Sequence, residues 1–485
     1  MSRSQLTRRQ VLRGLLVLGS GTAALAACGA TPTPQVIKEV VTSVVEREVT
    51  KVVEGTPQVV KETVVVKETQ VVEKEVTVQA QQPQIELKLM SWDSGIGDTK
   101  KINEVTLPGF LAATGIKVTY EAPPWNEYWT KIQTLAASGG MPDAYGQSVA
   151  YGWDHANKKI SLDVQPFVES DLNQADYFME MELGCHRYPS PTKGDLYAFP
   201  VRWVGEWLFY NKDIFDAAGQ KYPDDTWTYD DMLVAAKNLT KVSGDKTEIW
   251  GMQAPAGHVA LDALIKANGG LVLSPDYKKC MLDMPESVQS IQWAVDTILK
   301  HKVAPSPSVI SGFTEGPFAS KVLAMTLDGS YMADTWKKAE FNWDVSFVPK
   351  GTKTRVMYGG PDSISIARQS KYKEAAWALI KYWDGEENQM RMEDLIIGGV
   401  PFLKKAAYSD KFLTRAGNPK GIKTILDMAS VLRGADFGSQ WMEWRVTIMN
   451  QELDQAYLGQ RSVEDSVAAA VKAIDQVLST IEWPV

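Results

Sequence analysis

All 16 tryptophans of this 485-residue chain lie at or after Trp92. Between Thr31 and Pro83 there is no Trp, Phe or Tyr at all, and Val alternates with Lys, Glu and Thr. Large aromatic and aliphatic side chains supply most of the area that a fold buries, so the first 84 residues have little from which to build a core. Val45, Val52, Val59 and Val66 recur every seven residues, as a coiled coil would need. The second apolar position of that repeat falls on Glu48, Gly55 and Glu62, and Gly55 with Pro57 breaks a helix. Residues 28–84 therefore read as an extended, largely disordered tether whose Val and Thr allow transient strands.

The start of the chain reads as an address. Arg3, Arg8, Arg9 and Arg13 precede an apolar stretch from Leu15 to Ala27 that is too short to span a bilayer, so residues 1–27 are expected to be an export signal. Arg8 and Arg9 in TRRQVLRG resemble the twin-arginine export motif. Leu25, Ala26, Ala27 and Cys28 match a bacterial lipobox, so Cys28 is expected to carry the lipid that anchors the chain outside the membrane.

Composition narrows the remainder. With 44% hydrophobic and 23% charged residues the body is a soluble globular protein, and the length allows two to four domains. A net charge of -8 without a dense Lys/Arg run disfavours nucleic acid. Four His and three Cys are too few for a His-rich metal centre or a disulfide scaffold, so no metal and no cofactor is expected, although a carboxylate-lined ion site stays open. Cys185 and Cys280 are expected as free buried thiols in different lobes.

The body begins near Ile85. IELKLMSW alternates like a strand, a helical segment interrupted by Pro108 follows, and IKVTYEA reads as a second strand, which makes a βαβ start. Tyr128, Ile132 and Leu135 share a helical face that stops at Gly139. Thr228 with Asp231 forms a capping-box pattern, and stripes from Val288, Ala376 and Val467 mark later helices, the last running from Ser462 towards Ile481. WLFYN, VLAMTL and DVSFVP lie between them as strands. Such alternation predicts an α/β fold with covered sheets, arranged at this size as two lobes around a cleft.

The order of segments resembles a known family. FLAATGIKVTY, PPWNEYWTKIQTLAASGGMPDAY, GDLYAFP, WLFYNKDIFDAAG, TWTYDDMLVAAKNLT, LAMTLDGSYMADTW and YGGPDSISIARQSKYKEAAWALIKYW follow one another as in the bacterial extracellular solute-binding proteins that serve ABC importers of sugars. The resemblance implies a type II periplasmic-binding-protein-like fold with a multi-segment hinge, lobes over about 85–203 with 347–390 and 204–346 with 391–485, and closure around a small ligand. It also implies a carbohydrate ligand, permease subunits with a cytoplasmic ATPase as partners, and a monomer.

Ligands of open α/β sheets bind beyond the carboxyl ends of strands, which selects Trp92 and Asp93 after the first strand, and Gln147, Ser148 and Tyr151 after PDAY. Tyr331 follows Gly329 and Ser330 where, in the resembling family, an aromatic side chain stacks on a sugar. Arg202, Trp203 and Glu206 lie where the chain crosses between lobes. Gly359, Gly360, Pro361 and Asp362 are expected as a loop allowing close backbone approach. Trp441 and Trp444, one turn apart, share a helical face over the cleft, and Trp125 adds a further ring. Aromatic faces pack on sugar C–H groups while Asp, Glu, Arg and Gln fix hydroxyls. Trp129, Trp293, Trp377 and Trp383 sit on or beside apolar stripes and are expected in the core. No GxSxG, HExxH, P-loop or CxxC occurs, so the expectation is binding without turnover. A glycosidase and a lipid-anchored receptor or adhesin without a transporter remain the alternatives.

Overall fold

The computed structural model describes residues 34–45, 66–77 and 85–483, apart from 94, 180–183, 191–192, 257, 337–339, 393–398, 415–418, 435 and 437. The expected signal and Cys28 lie outside these. The chain divides between Gln84 and Ile85 into two compact units.

In the first unit, strand β1 (Pro34–Val45) pairs antiparallel with β2 (Val66–Thr77) in an unbroken register from Pro34 opposite Thr77 to Val45 opposite Val66. This differs from the expectation of a largely disordered segment. The physical reason is the alternation of β-branched with polar residues, a strand pattern whether or not a core lies beneath it.

The second unit carries β3 (Glu86–Met90), β4 (Lys117–Glu121), β5 (Ala144–Gln147), β6 (Phe199–Asn211), β7 (Met325–Gly329), β8 (Trp343–Ser346), β9 (Met357–Ile366), β10 (Val400–Pro401) and β11 (Leu432–Gly434). Among the described residues these form one sheet in the order β7-β6-β9-β5-β3-β4, with β8 and β10 also on β6 and β11 on β9. The βαβ start is parallel, β3 pairing with both β4 and β5. The long strand β6 changes partners along its length: residues 199–205 pair with β9, residues 206–211 with β7 and β8. One strand is thus shared by the two ends of the sheet, and the exchange falls at Gly205 and Glu206.

Gly359, Gly360, Pro361 and Asp362 lie inside β9 and not in the expected loop. Proline is tolerated in this central strand because the register shifts between Asp362 and Ser363, a bulge that relaxes the ladder next to the missing N–H.

The helices follow the apolar stripes. Pro108 does not interrupt the first one. A wide π-type turn over Ile102–Thr106, in which the Leu107 N–H reaches back to the Ile102 carbonyl, leads directly into α1 (Leu107–Thr114) and loosens the ladder immediately before the proline ring and its missing N–H. Next come α2 (Trp125–Ser138), closed by Gly139 at φ 74, and α3 (Gly152–Asn157). The capping box forms as read, Thr228 and Asp231 opening α4 (Tyr229–Leu239). Helices α5 (His258–Ala267) and α7 (Lys373–Asp384) pack on the sheet, α6 (Pro285–Leu299) packs on α5, and α8 (Val463–Leu478, capped by Ser462) packs on α6. Their inward stripes join the strands in one large apolar cluster that includes Trp207, Trp336, Trp377 and Trp383, all 2% exposed or less. Cys185 and Cys280 are both buried, and no disulfide joins them to each other. No helix among the described residues is long and apolar enough to cross a membrane.

Candidate functional site

At the carboxyl ends of β3 and β5 the structure gathers a nest of rings. Trp92 follows β3, Trp125, Tyr128 and Trp129 come from the first turns of α2, and Tyr151 precedes α3. Trp125 meets Trp92 edge-on at 5.0 Å between centroids and Trp129 at 5.3 Å, while Trp129 stacks on Tyr151 at 4.0 Å and 19°. Offset and edge-on arrangements of this kind are the favoured geometries of aromatic pairs. The spacing explains the convergence: Trp125 and Trp129 are four apart and share a face of α2. Gly95 makes room, since a Cβ there would stand 2.2 Å from the Trp92 ring. Trp125 leaves 37% of its surface exposed, whereas Trp92 and Trp129 are buried beneath it. Trp129 is thus in the core, as its stripe position predicts, and also forms the floor of the nest.

Polar groups flank the rings. Asp93 is exposed; its carboxylate accepts from Thr99 Oγ1 at 2.7 Å and its N–H donates to the Pro123 carbonyl. Gln147 is buried and donates through Nε2 to His155 Nδ1 at 2.9 Å. That bond needs a neutral imidazole, and burial supplies it by pushing His155 down to about 3. Ser148 is buried and its hydroxyl accepts from the Ala150 N–H. Gln147 and Ser148 therefore brace the wall behind the nest.

A second polar group lies where β6 changes partners. Arg202 and Asp362 stand opposite each other in register, and the guanidinium reaches Asp362 Oδ2 through both Nε and a terminal nitrogen at 2.9 Å. Glu206 is buried, takes a hydrogen bond from the Ala260 N–H near the start of α5, and has no partner for Oε2 among the described residues. Burial, then the nearby Asp328 and Asp262, raise its pKa well above the ordinary carboxylate value. Asp328, at the end of β7, is pushed up to about 6 by burial. Tyr331 projects beyond them, 51% exposed, its ring lying across Gly329, where a Cβ would come within 2.1 Å of it. Asp328, Glu206 and Asp362 all lie within electrostatic reach of Tyr331, and Tyr120 is in turn within reach of both Asp93 and Arg202. Gly359 and Gly360 line this crossing opposite Gly205 and Val204. Gly360 fits closely against Val149 and Cys185.

Three expected contacts are placed differently. Trp203 is completely buried, edge-on to Phe178 at 6.4 Å. Trp441 and Trp444 are 2% and 0% exposed. Trp441 precedes, and Trp444 lies within, a π-type segment (Met442–Met449) whose i→i+5 turn does not superpose residues three apart as an α-helix does. Beside Trp444, Arg445 is sealed against Asp262, both side chains 1% exposed or less, and also donates to Asn450 Oδ1. Sequence reasoning missed Asp328 and Trp129 as parts of the site. Asp328 carries the same strand-end signal that selected Trp92, and Trp129 lies one turn from Trp125.

A cavity of about 500 Å³ lined by Tyr229, Asp230, Asn268, Trp293 and Lys353 contains none of the expected ligand residues. Its polar walls bond to one another, Asn268 to Ser290 and Thr352, and Trp293 to Asp230. Among the described residues no group of three or more His, Cys, Asp or Glu is placed to hold a metal.

Solved structures share this fold. An ABC substrate-binding protein of Listeria monocytogenes in complex with cycloalternan superposes with TM-score 0.73 at 23% identity over 82% of this chain and 100% of that one. The GacH receptor of Streptomyces glaucescens, solved unliganded and with acarbose, gives 0.68 at 18% identity over 83% and 100%. At these identities the likeness shows the fold, a type II binding protein of two lobes. By sequence, the maltotriose-binding protein of Pyrococcus abyssi is 21% identical over 295 residues, 60% of each chain. The profile described as bacterial extracellular solute-binding protein matches residues 109–420, well over half of the chain, so the protein belongs to the bacterial extracellular solute-binding proteins.

Proposed function

We propose that this chain is the binding protein of an ABC importer, held outside the cell membrane by lipid at Cys28, and that it captures a mono- or oligosaccharide between its two lobes. The observation that carries the reading is the nest of Trp92, Trp125, Trp129 and Tyr151 at strand ends, with Trp125 partly open to solvent. A sugar ring presents C–H faces to such rings and hydroxyls to Asp93, Arg202, Asp362 and Tyr331. The relatives whose names record maltotriose, cycloalternan or acarbose support a saccharide over an amino acid or a metal. Residues 28–84 would let a lipid-anchored monomer reach a permease in the same membrane, and the strands β1 and β2 would shorten that reach. The reading assigns no turnover to the carboxyl groups.

A thermal-shift screen of mono- and oligosaccharides on the chain without its signal tests this. A true ligand at one hundred times its Kd should add about 2.7 kcal/mol of stability. If no sugar stabilises the protein while an amine, a metal or a peptide does, the reading is wrong. Lipidation is tested separately: Cys28→Ala should release the protein from the membrane fraction.

A further inference from the structure

Two loops from one side of the body grip a single short helix on the other. Helix α3 follows β5 and belongs with the strands that carry the ring nest. Tyr277, between α5 and α6, meets the adjacent Trp153 edge-on at 5.7 Å and 90°. The neighbouring Asp154 accepts from the backbone N–H of Gln440 through both carboxylate oxygens at 3.3 Å, and from the Ser439 side chain. Gln440 heads the π-type segment that packs on α8.

The two gripping loops are tied to each other. Asp436 accepts from the Leu273 N–H and from Lys266, and Gly438 lies close to the Tyr277 side chain. Both gripping residues are held in left-handed backbone, Tyr277 at φ 61 and Gln440 at φ 55, a region that non-glycine residues seldom adopt. Such conformations persist where the surroundings over-determine them, and they concentrate at clamps and switches. Here the same loops that carry the unusual backbone make the contacts across the body.

We infer that Trp153 and Asp154 on one lobe, with Tyr277, Ser439 and Gln440 on the other, form a latch that favours the closed protein before any ligand arrives. Closure that is partly provided by protein–protein contacts reduces the fraction of binding energy a ligand must divert to it, so the apparent affinity rises with the population already closed. None of these five residues belongs to the ring nest or to the Arg202–Asp362 pair, so they act as positioning residues. The inference rests on reading the body as two lobes that close on a ligand, but its test needs no ligand, so a failure of the saccharide reading leaves the outcome interpretable.

The experiment is double electron–electron resonance between one nitroxide on each lobe of the full mature chain, without added ligand, with circular dichroism as the fold control. The unaltered chain should give a short, narrow distance distribution. Asp154→Ala and Tyr277→Gly should each shift it to longer distances. Tyr277→Gly also relieves the left-handed backbone, so it keeps the test valid should Asp154→Ala fold poorly. Gln440→Gly retains the N–H donor and should keep the short distance. An open distribution in the unaltered chain, unchanged distances in both latch variants, or opening by Gln440→Gly would overturn the proposal.

Discussion

Two groups of tryptophan in this protein began with the same claim to the ligand and ended in different environments. Trp92 and Trp125 meet at the ends of strands, where one ring stays partly open. Trp441 and Trp444 are sealed inside, the second beside the buried pair of Arg445 and Asp262. What separates the groups is what stands over each ring. Trp125 tops the nest with 37% of its surface exposed, whereas the π-type segment packs against α8 and the helix that follows it, Asn450–Tyr457. An exposed ring is free to bind; a covered one contributes to stability.

The comparison can be broken from its strongest side first. Asp262→Ala leaves the Arg445 guanidinium buried without its carboxylate, and chemical denaturation should show a loss of about 3–5 kcal/mol. Trp444→Ala should cost about 3–4 kcal/mol through the cavity it leaves, while ligand affinity per folded molecule changes little. If Trp444→Ala abolished binding in a protein of normal stability, the two groups would not differ as described.

The half-buried Asp328 carboxyl group at the crossing gives an intermediate effect. Asp328 has a folded pKa of about 6, above its ordinary value, so the folded state holds the extra proton between about pH 4 and 6. Its contribution is fully present below that window and is lost as pH rises through 6, by on the order of 2 kcal/mol. Thermal unfolding across pH 4 to 7 should show this decline flattened in Asp328→Asn. The smallest effect belongs to the nest. Trp125→Ala should change stability by less than about 1 kcal/mol and weaken a bound sugar by about 0.5–1.5 kcal/mol, read by calorimetry. A large stability loss without an affinity change would place Trp125 with the core group.

Much of the framework was legible because it is written in local patterns. The capping box at Thr228, the stop at Gly139 and the stripe of α8 depend on neighbours within a few residues, and each formed as read. So did the strand ends that selected Trp92 and Tyr151. The misplaced elements depended on partners distant in sequence. Gly359 to Asp362 carry every sign of a loop, yet all four pair with β6, and Gly359 also with β11, so they are held as strand, with a bulge absorbing the proline. Trp441 and Trp444 were placed by α-helical geometry that a π-type turn does not follow. The tether's alternating Val was legible as a strand pattern, but its regular pairing depends on a register that only two matching segments can define.

By itself, then, the sequence determined where a core could form, since apolar and aromatic residues are absent or present stretch by stretch. It also determined the alternation of helix and strand and the strand ends at which side chains become available. The tertiary structure alone decided which rings remain open, which carboxyl groups are buried beside one another at the crossing of β6, and that two distant loops meet α3. Local propensity acts over a few residues, whereas exposure and electrostatic environment are set by whatever the fold brings within a few ångströms.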